Sequence, residues 1–342
     1  MKTIANLRAF WVVVVSACFA APQTQAQEVD FGGDAITVIV GYGAGGSYDT
    51  YGRLIGRFLG RHLPGNPTVI VDNMTGAGSL RAANYIYNVA PKDGTVLGII
   101  GQTIPVDQLL FEDAQQQFDS TKFNWIGRMA AGVESIIGWH TVPVSSIEEA
   151  KTREMVIAAA GPSSGSAIFP VVLNNLIGTQ FKVLRGYSGT NEMIAAMERG
   201  EVDGAGAVNI TTLTSAFEPF MREGKIRLLT QVSISRHPAF ADIPTFVELG
   251  ATEDQQAILR LFASSGEIGR ALLAPPQTAP ARVAALRAAF IRMMSDPELL
   301  AIAEQTRIDI SPLEGNELQA IVAEIAHTPG AIVEAAKAAK EQ

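Results

Sequence analysis

The nonapeptide Gly41-Tyr42-Gly43-Ala44-Gly45-Gly46-Ser47-Tyr48-Asp49 joins two segments of different hydrophobic period. Before it, residues 36–40 form a short β-branched run. After it, residues 47–63 carry Tyr51, Leu54, Ile55, Phe58 and Leu59 at the spacing of one helical face. A glycine-rich turn from strand into helix leaves backbone N–H groups free at the positive end of the helix dipole, which makes a pocket for an anion. Gly41, Gly43 and Gly46 also satisfy GxGxxG, and Asp72 ends the next strand, so a dinucleotide site is a rival reading. The plain alternative is an ordinary glycine turn.

Outward from this loop the same alternation continues. Pro64-Gly65-Asn66-Pro67 stops the helix, residues 68–71 form a second strand, and Thr75-Gly76-Ala77-Gly78-Ser79 leads into helix through Tyr87. A third strand spans residues 96–100. This β-α-β-α-β order predicts a mostly parallel sheet covered on both faces. Crevices in such sheets open outside the carboxyl ends of the strands, so the two glycine loops converge there and favour a carboxylate. Gln102 and Thr103, just past the third strand, add neutral donors to the same rim.

A second group of units follows. Ser145 with Glu148 reads as a capping box, residues 155–159, 181–184, 202–208 and 226–232 as strands, and residues 191–199 as a helix. From Pro276 the chain reads as helical, with Ser311-Pro312-Leu313-Glu314 as a cap carrying proline at the first helical position. Loops 161–166 and 187–191 each follow a strand and offer Ser163, Ser166, Tyr187, Gly189, Thr190 and Asn191, although such serines serve equally as helix caps. Asp203 is a candidate for a ligand amine or hydroxyl, against a solvated turn carboxylate. Two groups of αβ units predict two lobes: residues 27–140 with 232–342, and residues 141–231. Candidate crossings are residues 123–143, 226–238 and 270–276.

The bulk composition narrows the function. The chain has 342 residues, 47% apolar and only 18% charged, which is ample for a folded core. A net charge of −8 without a basic stripe argues against nucleic acid as a partner. The single cysteine, Cys18, excludes an intrachain disulfide, and His62, His140, His237 and His327 form no metal-binding pair, so no metal and no cofactor is expected. Lys2 and Arg8 precede an apolar run at residues 9–20, and Thr24-Gln25-Ala26 fits a cleavage site, so residues 1–26 read as an export signal. Val15-Ser16-Ala17-Cys18 resembles a lipobox, but discard of Cys18 with the leader is the favoured reading. No GxSxG elbow or carboxylate pair suggests an enzyme.

The ordered set of segments resembles the periplasmic receptors of tripartite tricarboxylate transporters, the TctC-like or Bug family. It comprises residues 41–49 (GYGAGGSYD), 62–67 (HLPGNP), 71–79 (VDNMTGAGS), 90–95 (APKDGT), 181–187 and 198–203 (ERGEVD), with Ala274-Pro275-Pro276 similar to the family's return strand. The resemblance implies an α/β, type II periplasmic-binding-protein fold whose two lobes close on a small organic acid. It further implies a monomer that delivers this ligand to TctA- and TctB-like membrane subunits. Carried over by position, ligand contacts fall on Gly45, Gly46, Ser47 and Asp49, with Ala44 in the same loop, and on Gly76, Ala77 and Gly78. In the second lobe they fall on Ser166, Gly189, Thr190 and Asn191. Asp49 has an alternative role in stiffening its helix start. Residues 161–169 lack the histidine of the family's GxGSxxH-like loop, and Tyr42-Gly43 replaces its Pro-Phe-like lead, which predicts a ligand less polar than citrate at its far end. A ligand-sensing receptor for a membrane signalling partner and a nucleotide-dependent oxidoreductase are the alternatives.

Overall fold

A computed structural model describes residues 29–110 and 116–341, so the expected leader and Cys18 lie outside the described residues. The first strands and helices are β1 (Ala35–Val40), α1 (Ser47–Phe58), β2 (Thr68–Asn73), α2 (Leu80–Asn88), β3 (Val96–Ile99), α3 (Ile104–Leu110) and β4 (Asn124–Arg128). A second run contains β5 (Glu134–Trp139), α4 (Ile147–Ala150), β6 (Met155–Ala159), α5 (Gly165–Ile177), β7 (Phe181–Arg185), α6 (Thr190–Glu198), β8 (Gly204–Asn209), α7 (Ile210–Thr214), α8 (Glu218–Arg222) and β9 (Ile226–Val232). The remainder is α9 (Glu253–Ile268), β10 (Ala271–Ala274), α10 (Pro280–Met294), α11 (Pro297–Thr306), β11 (Leu313–Glu314), α12 (Gly315–Ala326) and α13 (Gly330–Lys340).

These strands build two sheets, ordered β11-β4-β10-β3-β1-β2 and β7-β6-β8-β5-β9. Each has a parallel trio (β3-β1-β2 and β7-β6-β8) extended by antiparallel strands, so both are mixed rather than mostly parallel. β5 and β10, the strands the chain enters on crossing between lobes, run against their trios, as does the short β11, whereas β4 and β9 run with them. The architecture is α/β with two lobes, one built on each sheet, as expected from the sequence.

The crossings differ in detail from those expected. β5 pairs in the second sheet, so the chain has left the first by residue 133, before the expected boundary at 140. After β9 it stays against the second sheet, where Phe246 N donates to Gln231 O at 2.6 Å, and it regains the first sheet only at Ala271. Residues 129–132 and 266–270 run side by side between the lobes, with Met129 N to Arg270 O at 3.0 Å and Gly132 N to Gly266 O at 2.8 Å. Gly269 has φ +55, and a Cβ there would lie 2.1 Å from Ala130 O, so close backbone approach requires glycine.

Two helix starts are also displaced. The α4 cap is Ser146, bonded by Glu149 N, rather than Ser145 with Glu148. Leu313–Glu314 joins β4 as a short strand, and the capping box of α12 is Glu314 with Glu317. In both cases a neighbouring polar residue offers equivalent cap chemistry, and tertiary pairing selects the register.

One apolar core continues from Ile86 and Trp125 in the first lobe through Leu259 and Phe262 of α9 to Phe169 and Val172 of α5. Separate clusters fill each lobe: Ile55, Phe58 and Phe290 on one side, Ile137, Ile194 and Val208 on the other. The lobes therefore share packing along one side and leave the strand carboxyl ends facing each other across a cleft.

Candidate ligand-binding cleft

Three helices begin at this cleft. β1 feeds α1, β6 feeds α5 and β7 feeds α6, so their amino ends lie at the carboxyl ends of strands from both lobes. Their N-cap residues, Gly46, Ser164 and Gly189, make no side-chain capping bond. The first N–H groups of a helix have no intrahelical partner, so three sets of donors are directed at one space. That space is a cavity of about 510 Å³, partly open to solvent, bounded by Gly46, Ser47, Tyr48, Gln102, Thr103, Glu134, Ser164, Ser166, Gly189, Thr190 and Asn209. Ala160, Met193 and Ala207 supply an apolar wall.

The lobes are closed on it. Thr103 Oγ1 donates to Ser163 O at 2.9 Å, Gly43 N to Ser188 O at 3.1 Å, and Asn191 Nδ2 to Ala44 O at 3.3 Å. At the closest approach, a Cβ on Gly161 would lie 2.0 Å from Gly78 N. Gly76, Ala77, Gly78 and Ser79 all have positive φ, which turns this loop tightly toward the second lobe. Beyond Tyr42, which forms a wall of both, a second cavity of about 460 Å³ is lined by Gly76, Ala77, Gly78 and Tyr187.

Arg270 organises the cleft floor. It is 1% exposed; its Nε donates to Ser47 Oγ at 3.0 Å, its Nη1 to Gln102 Oε1, and its Nη2 pairs with Glu134 Oε1 at 3.3 Å. Its guanidinium also lies 4.1 Å from the Tyr48 ring centroid. Burial pushes the Glu134 carboxyl above the usual carboxylate range, against the opposing pull of Arg270. Burial likewise lifts the Tyr48 phenol to about 12, so its hydroxyl keeps a proton to donate while accepting from Gln102 N at 3.0 Å.

Of the residues expected from sequence, Gly46, Ser47, Gln102, Thr103, Ser166, Gly189 and Thr190 line the main cavity. Several of their side chains are already engaged. The Gln102 amide donates to Gly132 O, and Ser166 Oγ accepts from Ala160 N and meets Ser164 Oγ. Asp49 lies behind the loop, where it accepts from Gly45 N and Arg53 Nε at 2.8 Å and from Asn73 Nδ2 at 3.0 Å. Burial alone would raise its carboxyl, but these bonds outweigh it and hold the group below its usual range. Ala44, Gly45, Ser163 and Asn191 serve loop and lobe–lobe contacts. Asp203 is not brought to the cleft: it precedes β8, whose opposite end, Asn209, lines the cavity, and its carboxylate accepts from Val156 N.

Sequence reasoning passed over Tyr42, Tyr48, Glu134, Asn209 and Arg270. A signal for two of them was present. Glu134 heads the otherwise uncharged run ESIIGW, and Arg270 the run RALLA. Ionisable groups at the ends of buried strands have to find each other or a ligand.

Residues 61–337 match the family model described as tripartite tricarboxylate transporter family receptor. The chain is 29% identical to the "UPF0065 protein in gbd 5'region" of Cupriavidus necator, over 94% of each chain. Among solved structures it resembles the periplasmic binding protein BugD with TM-score 0.73 and 21% identity, over 90% of this chain and 98% of that one. It also resembles MatC of Rhodopseudomonas palustris with bound malate, with TM-score 0.70 and 21% identity over 89% and 100%. An R. palustris protein with adipate gives TM-score 0.69 and 21% identity over 90% and 98%.

Proposed function

The chain belongs to the tripartite tricarboxylate transporter receptor family, and from that premise we propose that it captures a small organic carboxylate outside the cytoplasm and hands it to a tripartite membrane transporter. Members of that family are binding receptors rather than enzymes. The observation that carries the ligand class is the convergence of three helix starts without side-chain caps on one cavity. The carboxylate is held by N–H groups of Gly46, Ser47, Gly189 and Thr190 and by the Tyr48 and Thr190 hydroxyls, with closure excluding water. Malate and adipate in two structural relatives belong to the same chemical class. The basic-apolar leader at residues 1–26 supports export to the periplasm, with TctA- and TctB-like subunits as partners.

Mass spectrometry of small molecules released from the purified protein tests this, followed by thermal shift with carboxylic acids and with NAD. A released carboxylate, and stabilisation by acids alone, are the expected results. Stabilisation by NAD alone would return the glycine loop to the nucleotide reading.

A further inference from the structure

Among the described residues lining the cavity, Glu134 is the one lysine, arginine, histidine, aspartate or glutamate. A site for an anion thus displays a carboxylate and no cationic side chain on its surface. Arg270 lies one layer behind, and its three nitrogens are occupied by Ser47, Gln102 and Glu134 Oε1. Glu134 Oε2 accepts no hydrogen bond among the described residues. That oxygen lies over the first residue of α5, where a Cβ on Gly165 would come within 2.9 Å of it. The protein's own carboxylate therefore occupies the α5 end of the cleft, and the α1 and α6 ends remain for the ligand's anion. Those two ends face each other, with a Cβ on Gly46 falling 3.9 Å from Thr190 Oγ1.

Resting on the carboxylate-receptor reading above, we infer that the ligand is an amino carboxylate, its carboxylate between the α1 and α6 starts and its ammonium donating to Glu134 Oε2. In the ionised form that Arg270 supports, Glu134 repels a second carboxylate, whereas an ammonium satisfies the unpaired oxygen and itself favours that ionised form against the effect of burial. Arg270 acts as a positioning residue that holds Glu134 toward the cavity.

Released ligand from the wild-type protein provides the first test. A molecule with both a carboxylate and a basic nitrogen is expected; a carboxylate without basic nitrogen overturns this inference and leaves the receptor reading standing. A ligand with no carboxylate overturns both. Calorimetric titration then compares alanine, 3-aminopropanoate, 4-aminobutanoate and 5-aminopentanoate with malonate, succinate, glutarate and adipate. The best amino acid should exceed every dicarboxylate by at least about tenfold, and Glu134→Gln should erase that margin. The double variant Glu134→Gln/Arg270→Gln, which leaves no lone buried charge, should lose the preference in the same way. Dicarboxylates ahead in the wild type, or an amino-acid preference that survives in either folded variant, would overturn the assignment.

Discussion

Gly161 separates folding from closure at a single residue. Its φ does not fall in the left-handed range, so alanine is tolerated by the second lobe alone, yet its Cβ would strike Gly78 N and Ala77 in the closed state. Gly161→Ala should therefore keep its ligand-free melting temperature and lose at least about tenfold in ligand affinity by calorimetry, because residues of both lobes line the cavity and reach a ligand together only on closure. Arg270 makes the opposite case, since its first effect is on stability. Arg270→Leu strands Glu134 in the cleft floor and should cost about 3–5 kcal/mol in denaturant unfolding. The sign with pH follows from the raised Glu134 value. A carboxyl that binds its proton more tightly folded than unfolded favours folding most at low pH. The variant should thus lose stability as pH rises from the unfolded value of 4.5 through the elevated folded one, with its deficit narrowing in acid. A pH-independent deficit would show that Glu134 is not the group left unpaired.

At the scale of elements, α1, α5 and α6 are less stable than they would be with capped starts, and that deficit lies at the cleft. Gly189 has φ 172, extended backbone open to any residue, and the nearest atom to a Cβ there is Gly43 N at 3.6 Å. Gly189→Asp should cap α6 and raise stability by a few tenths to about 1 kcal/mol, while its carboxylate displaces the ligand's and binding falls by at least about a hundredfold. A stabilised variant that still binds would move the anion site away from α6. The same contrast explains what was legible in the sequence. Strand–glycine loop–helix junctions such as residues 41–49 and 187–191 are local, and their residues Gly46, Ser47, Gly189 and Thr190 do line the cavity. Asp203 shared their polarity but sits at the wrong end of its strand, a distinction that depends on strand direction. Glu134 and Arg270 are 136 residues apart in sequence and meet only because the chain crosses between lobes twice at adjacent places. The family resemblance supplied the two-lobe fold, but the missing histidine in residues 161–169 drew attention to an absence while the acidic group lay elsewhere.

For the whole molecule, ligand exchange is easiest if the lobes part at the mouth of the cleft without separating elsewhere. Among the described residues the polar contacts across the mouth include Thr103 with Ser163, Gly43 with Ser188, Asn191 with Ala44, and the exposed Arg307–Glu218 pair, beside the close approach of residues 77–78 to Gly161. Each such hydrogen bond is worth about 0.5–1.5 kcal/mol and an exposed ion pair less, so a ligand that touches both lobes adds directly to the balance in favour of closure. The opposite side is held far more firmly by the core that both lobes share. There α13 packs against α5 of the second lobe and against α3 and α9, with Lys340 buried against Asp107 and Asn175 Nδ2 donating to Ala339 O at 2.9 Å. α13 thus spans the hinge side without reaching the cavity. Removing residues 330–342 should lower the melting temperature by at least about 5 °C and enlarge the ligand-free radius of gyration in X-ray scattering. Because the binding groups remain, ligand at saturation should restore the compact form, with apparent affinity reduced only by the smaller closed fraction. If scattering and melting are unchanged by the deletion, α13 is an appendage and the shared core alone holds the lobes in register.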